Sequence, residues 1–368
     1  MLKLIQSKVL QRQSISLKEA RYLFEKGSLE ELETLATEVK KRFHSKDTAS
    51  YLIMSILNYT NICVAGCKYC AFYAFPYQKE AYLLSTEDVC KRIEDLLQYD
   101  PTVVSFNGGF HPHLKISHYA KLFETIHERF PKLTFFEMTI AEFMFVCKRS
   151  KISYEEGARI LKTSGTQWIT GGGAEVLSES FRKRHSPGKF TVADYFKAQE
   201  AVLAEDLGST ATMVIGFDES LDERFEHLQK LRDFQEENQR KIPSFLCWTY
   251  KPYNNQLGGG EIEHDEYLRW LAVCRIYLDN IKSIRTSVLT RNDKAFDGLN
   301  YGANDFDLPV EDEVTQKAGA TISHDFAQLL KLCEARGMKP VKRDPYPIQR
   351  TVFLNKKTEN FTAAINND

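Results

Sequence analysis

The chain has 368 residues, 43% of them hydrophobic, with 49 basic and 50 acidic side chains, a net charge of −1 and a pI near 6.8. So even a balance gives no electrostatic footprint for nucleic acid or an anionic membrane, and no apolar run approaches the ~18 residues of a membrane span. The start, Met1-Leu-Lys-Leu-Ile-Gln-Ser-Lys8, lacks the apolar core and small-residue cleavage site of a secretory signal. The expectation is a cytoplasmic globular protein that handles a small molecule.

Residues 1–50 read as helices. Ser16-Leu-Lys-Glu19 and Ser28-Leu-Glu-Glu31 each set a Ser three residues before a Glu, the capping-box signature of a helix start. These helices are expected to cap the main domain. From residue 51, short apolar strands alternate with amphipathic helices, the pattern of a parallel α/β fold. Strands are predicted at 51–57, 102–106, 134–140, 167–170, 210–215, 244–250, 284–289 and 299–301. Helices are predicted at 86–98, 116–129, 141–163, 193–206, 220–238 and 264–280. Eight strands in roughly 250 residues fit a (β/α)8 TIM-type barrel. A doubly wound open sheet is the alternative, and it would leave the first and last strands unpaired. The barrel is expected over 51–308, with residues 309–368 supplying closing helices at 310–318 and 323–336 and a polar tail beyond Val352.

In a barrel of this kind, chemistry gathers where strands end. The first strand runs into Cys63-Val-Ala-Gly-Cys67-Lys-Tyr69-Cys70, a C-x3-C-x2-C spacing. So short a loop can turn three thiolates toward one point, and thiolates are the ligands iron–sulfur clusters prefer. Three ligands on a four-iron cluster leave one iron open for chemistry. A zinc ribbon would want paired C-x2-C knuckles far apart. The remaining cysteines, Cys90, Cys147, Cys247, Cys274 and Cys333, fall inside apolar patterns and read as small buried hydrophobes.

Later strand ends carry weaker signals. The second ends in Asn107-Gly108-Gly109-Phe110-His111-Pro112-His113, where the glycines admit close backbone approach. His111 and His113 are either hydrogen-bonding scaffold or proton carriers. Glu142, opening the helix after the third strand, is either helix-dipole compensation or a ligand contact. The fourth strand ends in Gly171-Gly172-Gly173-Ala-Glu175, and the fifth presents Thr212 and Met213. The sixth ends in Trp248-Thr-Tyr250-Lys-Pro-Tyr253-Asn254, which suits a flat ring with polar handles. Residues 287–291 add the cation Arg291 for a carboxylate. Asn304-Asp305 after the last strand is either a turn or a contact to a substrate hydroxyl.

The motif C-x3-C-x-aromatic-C directly after the first strand, with Tyr69 in the aromatic slot, resembles the radical S-adenosylmethionine (SAM) superfamily. The resemblance implies a [4Fe-4S] cluster on Cys63, Cys67 and Cys70, with SAM on its open iron. It implies that Asn107, Gly108 and Gly109 meet SAM through backbone contacts, because Phe110 stands where many members carry an acid. It further places Tyr69, Gly172, Gly173, Glu175, Thr212 and Met213 around SAM, with Glu175 on its ribose. His111, Glu142 and Asp305 are then the catalytic candidates for moving a proton.

Asn58-Tyr59-Thr60-Asn61, Cys70-Ala-Phe72-Tyr73, Gly108-Gly109-Phe-His111-Pro112, Gly171-Gly-Gly-Ala-Glu175, Ala211-Thr212-Met213 and Tyr301-Gly302-Ala303-Asn304-Asp305 resemble one branch. It comprises the futalosine enzymes of menaquinone biosynthesis and their deazaflavin-synthase relatives. Within it, the run Trp248 to Pro252 and Arg343-Asp344 are most similar to the dehypoxanthine futalosine cyclases. Met138-Thr-Ile-Ala-Glu142 and Phe306-Asp-Leu-Pro309 depart from that pattern. The resemblance implies the substrate dehypoxanthine futalosine, a 5′-deoxyadenosyl radical that takes a hydrogen from ribose C4′, and addition of the carbon radical to the benzoate ring. It also implies an electron donor such as flavodoxin or ferredoxin. The sister aminofutalosine synthases share the cluster and glycine motifs and stay open as an alternative. So does, in another class, a non-enzymatic electron carrier.

Overall fold

The computed structural model describes residues 1–345. Its strands are β1 (Thr48–Leu57), β2 (Val103–Phe106), β3 (Thr134–Phe136), β4 (Met138–Thr139), β5 (Ile169–Thr170), β6 (Ala211–Ile215), β7 (Ser244–Thr249), β8 (Ser283–Thr286), β9 (Asp305–Asp312) and β10 (Lys339–Lys342). The pairing runs β3-β2-β1-β9-β8-β7-β6, parallel throughout. β1 and β9 lie side by side from Ser50↔Asp305 to Ile56↔Asp312. First and last strands therefore meet, which the open doubly wound alternative does not allow. β4 continues β3 and pairs with β5, while β5 reaches β6 through the bridge Trp168↔Gly208. The staves β1, β2, β3/β4, β5, β6, β7, β8 and β9 form a TIM-type (β/α) barrel, with β10 added beside the start of β1.

β1, Thr-Ala-Ser-Tyr-Leu-Ile-Met-Ser-Ile-Leu, is buried along most of its length. A parallel strand covered on both faces has this near-continuous apolar character. The break between β3 and β4 is caused by Glu137. Its buried carboxylate accepts from the amides of Gln167 (3.0 Å) and Trp168 (2.9 Å) and contacts His127 Nε2 at 2.7 Å. A side chain here holds the backbone donors that a ladder would otherwise take.

Both N-terminal capping boxes form, on helices Leu17–Lys26 and Leu29–Lys40, and these helices pack against the helix His264–Tyr277 on the barrel's outer wall. The segment expected as one helix at 141–163 is two, Ile140–Ser150 and Tyr154–Thr163. The chain turns at Lys151 in the left-handed region (φ 59°), and Ser153 caps the second helix by accepting from the amide of Glu156.

The last strand differs most from expectation. Residues 299–301 end a 3-10 helix, Asn292–Leu299, and the strand is β9, which crosses the boundary expected at 308/309. Among the described residues only Glu313–Lys317 and Phe326–Ala335 are helical beyond it, and the tail expected beyond Val352 lies outside the described residues. β9 reads Asp-Phe-Asp-Leu-Pro-Val-Glu-Asp, and its acids and proline mimic a turn. Two of those acids, Asp305 and Asp307, are neutralised by arginines. Asp305 Oδ1 lies 3.2 Å from Arg285 Nε and 3.0 Å from Arg343 Nη2, and Arg285 also pairs with Asp307. Pro309 sits next to a register shift between the pairs Met54↔Pro309 and Ile56↔Asp312. An irregularity is where a central strand tolerates proline. The extra residue turns Asp312, instead of Glu311, to the face that Ile56 occupies.

Candidate active site

The cysteine loop is tied down on all sides. Cys63 N donates to Ala74 O (3.0 Å), Val64 N to Phe110 O (3.1 Å), Lys68 N to His185 O (2.9 Å) and Cys70 N to Cys67 O (3.1 Å). Asn61 spans the loop base, donating to Glu80 O and accepting from Tyr82 N, each at 2.8 Å. Cys67 is buried and its thiol is pushed up to about 12 by burial, against the pull of nearby Lys189; Cys63 and Cys70 are half-buried. Phe72 N donates to Cys70 Sγ at 3.4 Å. Amide donors aimed at sulfur are a feature of thiolates on an iron–sulfur cluster, so this donor set fits the group. Among the described residues, no three His, Cys, Asp or Glu side chains converge on a single-ion position. A four-iron cluster does not require it, since each thiolate takes a different iron.

The glycines after β2 serve the protein first. A Cβ on Gly109 would overlap Ile62 O and stand 2.7 Å from the Cβ of Cys63. Glycine is therefore what lets the β2 turn lie flat on the cysteine loop. A Cβ on Gly108 would strike the ring of Tyr59, and the Gly108 amide is already given to Glu142 Oε1 at 2.8 Å. Gly172 and Gly173 line the cavity, but a Cβ there would meet Thr139 and Ala141.

Glu142 does not face the cavity. Oε1 accepts from Tyr59 Oη (2.5 Å) and Gly108 N, and Oε2 accepts from Thr139 N (3.1 Å) and Oγ1 (2.6 Å). It knots the ends of β1, β2 and β4 together and is a positioning residue. His111 also lies outside the cavity. Its ring is 6.0 Å from His113, its Nδ1 accepts from the His113 amide, and burial, with His113 and His118 nearby, holds it below the usual histidine value. Asp305 is at the start of β9, at the barrel end away from the cysteines. None of the three expected catalytic residues touches the cavity.

The cavity opens at the strand C-termini and has a volume of about 270 Å³. That lies near the lower end of the ~300–1000 Å³ range of small-ligand sites. Tyr69, Cys70, Asn107, Gly173, Glu175 and Thr212 line it together with Met54, Ile56, Trp248, Tyr250, Lys251 and Asp312. Tyr69 sits against Phe181 (6.2 Å) and Phe217 (5.1 Å), and Phe217 against Tyr250 (4.5 Å), an aromatic wall running from the cysteine loop to the end of β7. The Tyr69 hydroxyl is buried beside Ser186 and Cys67 without a well-formed hydrogen bond. Thr212 points inward and donates to Gly171 O at 2.9 Å, whereas Met213 points outward into the helix-side core. Strand alternation separates the two, so Met213 is not an adenine neighbour.

Two charged groups here escaped the sequence reading. Lys189 donates to both oxygens of Glu175, at 2.8 and 2.7 Å, and Glu175 itself has a left-handed φ of 41°. Only an unremarked Ser-Pro-Gly-Lys turn marks Lys189 in the sequence. Asp312 accepts from Val314 N (3.3 Å) and Thr315 Oγ1 (2.7 Å), and burial pushes it up to about 6. Arg291, expected to meet a carboxylate, instead donates to Ile262 O, contacts His264 Nδ1 and covers the ring of Tyr267, away from the cavity.

A family profile described as the radical SAM superfamily matches residues 57–231, and one described as the CofH/MqnC C-terminal region matches residues 243–353. Cyclic dehypoxanthine futalosine synthase of Halalkalibacterium halodurans is 34% identical over 92% of this chain and 92% of its own. The protein of that name from Streptomyces coelicolor is 32% identical, covering 89% and 84%. Aminodeoxyfutalosine synthase of Thermus thermophilus is 29% identical, covering 92% and 93%. Among solved structures, methylornithine synthase has a TM-score of 0.68 at 15% identity, covering 92% of this chain and 97% of that one. The hydrogenase maturase HydG has a TM-score of 0.70 at 14% identity, covering 93% and 76%. At such identities these two speak for the fold alone. With a cysteine loop built for a cluster, a barrel that closes over it and relatives matching along nearly the whole chain, the protein belongs to the radical SAM superfamily, whose [4Fe-4S] cluster and SAM are its cofactors.

Proposed function

We propose that the protein converts dehypoxanthine futalosine to cyclic dehypoxanthine futalosine in menaquinone biosynthesis. The observation that carries this reading is one cavity lined by both the cysteine loop and the Trp248–Tyr250 wall, in a chain this similar to two cyclic dehypoxanthine futalosine synthases. When bound, the cluster and SAM supply hydrogen-atom abstraction at the ribose C4′ carbon of the substrate.

The chain's own residues do the rest. Cys63, Cys67 and Cys70 hold the cluster, and the Phe72 amide supports the Cys70 sulfur. Glu175, oriented by Lys189, would receive a ribose hydroxyl of SAM, and Thr212 lines the same cavity. Trp248 and Tyr250 hold the benzoate ring, while Met54, Ile56, Phe136 and Leu246 keep water from a carbon radical. Attack on the ring leaves a ring-centred radical that must lose one proton and one electron for aromaticity to return, and the electron would pass back to the cluster that SAM cleavage had oxidised. Asp312, turned inward by the irregularity in β9, accepts the proton.

Cys63 and Cys70 are only half-buried, which supports direct reduction by a small donor such as flavodoxin or ferredoxin. No helix among the described residues is long and apolar enough to cross a membrane, and we place the enzyme in the cytoplasm with that donor. The test is an anaerobic assay of reconstituted protein with SAM, reductant and dehypoxanthine futalosine. The reading predicts free 5′-deoxyadenosine and a product lighter by two hydrogens. Adenosine carried into the product of an enolpyruvyl benzoate would instead mark the synthase reaction.

A further inference from the structure

We infer that Lys251 is the seat of the substrate's carboxylate, and that the cavity is built for an aryl carboxylate whose ring lies against Trp248 and Tyr250. The functional reading enters only in that its substrate carries a benzoate.

The counter-ions around the cavity single out Lys251. Arg285 also lines the cavity, but it stands between Asp305 and Asp307, and Arg343 shares Asp305. Those two cations and two acids already balance. Lys189 gives hydrogen bonds to both oxygens of Glu175 on the cofactor side. Lys251 is held differently. Its Nζ makes a 2.8 Å bond to Glu261, with the lysine side chain 9% exposed and the glutamate 36% exposed. A buried ammonium cannot be left without an anion, whereas a half-exposed carboxylate can turn out to water at little cost.

Glu261 is also placed to leave. It follows Gly258, Gly259 and Gly260, around which a Cβ would meet nothing within 4 Å, so the segment is unencumbered. In this arrangement Glu261 stands in for the ligand carboxylate. A charge-assisted bond from Lys251 then fixes one end of the ligand. The neighbouring ring surface is rigid, because Tyr250 Oη donates to Asn255 Oδ1 (2.6 Å) and Gly258 O (3.1 Å) and its ring packs on Phe217. A flat acid anchored at Lys251 would lie along Tyr250 and Trp248.

The experiment titrates reconstituted, SAM-loaded protein with 3-hydroxybenzoate and 3-hydroxybenzamide, followed by saturation-transfer NMR. Wild type, Lys251→Met and Glu261→Gln are compared, with thermal melts to confirm folding. The acid should bind wild type better than the amide. Lys251→Met should weaken the acid by about 10- to 100-fold and leave the amide unchanged. Glu261→Gln should keep or improve binding of the acid, because it removes the competitor. No preference for the acid in wild type, no loss in Lys251→Met, or equal losses in both variants would each overturn the proposal, the last by making the pair merely structural. A wild type that binds the acid through Lys251 yet leaves dehypoxanthine futalosine unconverted would sink the functional reading and leave this one standing.

Discussion

A carboxylate that accepts four hydrogen bonds has no lone pair left for a substrate, and Glu142 is in that position. Burial nevertheless pushes it up to about 7, above its ordinary 4.5. A folded-state value raised in this way means stability that is complete below pH 4.5 and is lost as pH rises through 7, about 3 kcal/mol in all. Denaturant unfolding across that range should show the fall in wild type and a flatter profile in Glu142→Gln. Asp312 carries the second residue-scale prediction. As a base it acts only when ionised, so cyclisation should decline below about pH 6. Asp312→Asn should slow product formation about 100-fold or more while SAM affinity stays the same. A variant that cyclises at the wild-type rate would remove Asp312 from the mechanism. The cysteines were legible in the sequence because three of one rare type share one short loop. Asp312 and Lys189 were not, because nothing local distinguishes an acid at a strand end or a lysine in a turn from a solvated one.

At the scale of elements, the alternation of apolar strands with capped helices made most of the barrel readable. Capping boxes at Ser16 and Ser28 marked true helix starts because the bonds they announce are local. β9 was unreadable for the opposite reason. Asp305 and Asp307 are satisfied by Arg285 and Arg343, partners that only the closed barrel brings near. The seam between β5 and β6 has no regular ladder, only one bridge with Gly208 N to Gln167 O (2.9 Å) and Ile169 N to Gly208 O (3.0 Å). It is backed by the side-chain bonds Ser209 Oγ to Ile169 O (2.7 Å), Gly171 N to Thr210 Oγ1 (3.2 Å) and Thr212 Oγ1 to Gly171 O (2.9 Å). A Cβ on Gly208 would overlap the ring of Trp168. Gly208→Val should therefore cost about 1–3 kcal/mol in denaturant unfolding. Amide exchange should rise first in β5 and β6, and protection unchanged there would contradict this account of the seam.

At the scale of the whole molecule, closure is what turns strand ends into a site. The cysteine loop follows β1, the aromatic wall crosses β6 and β7, and Asp312 ends β9, so residues far apart in sequence meet over one cavity. Membership of the superfamily was legible from one loop. The choice of proton acceptor was not, since it depends on which face of β9 turns inward, and a single extra residue decides that. The most direct test of the central claim uses dehypoxanthine futalosine deuterated at ribose C4′ in an anaerobic turnover with SAM. The account predicts one deuterium in the released 5′-deoxyadenosine, together with a cyclised product that has lost the label. Unlabelled 5′-deoxyadenosine, or label retained at C4′ of the product, would contradict it.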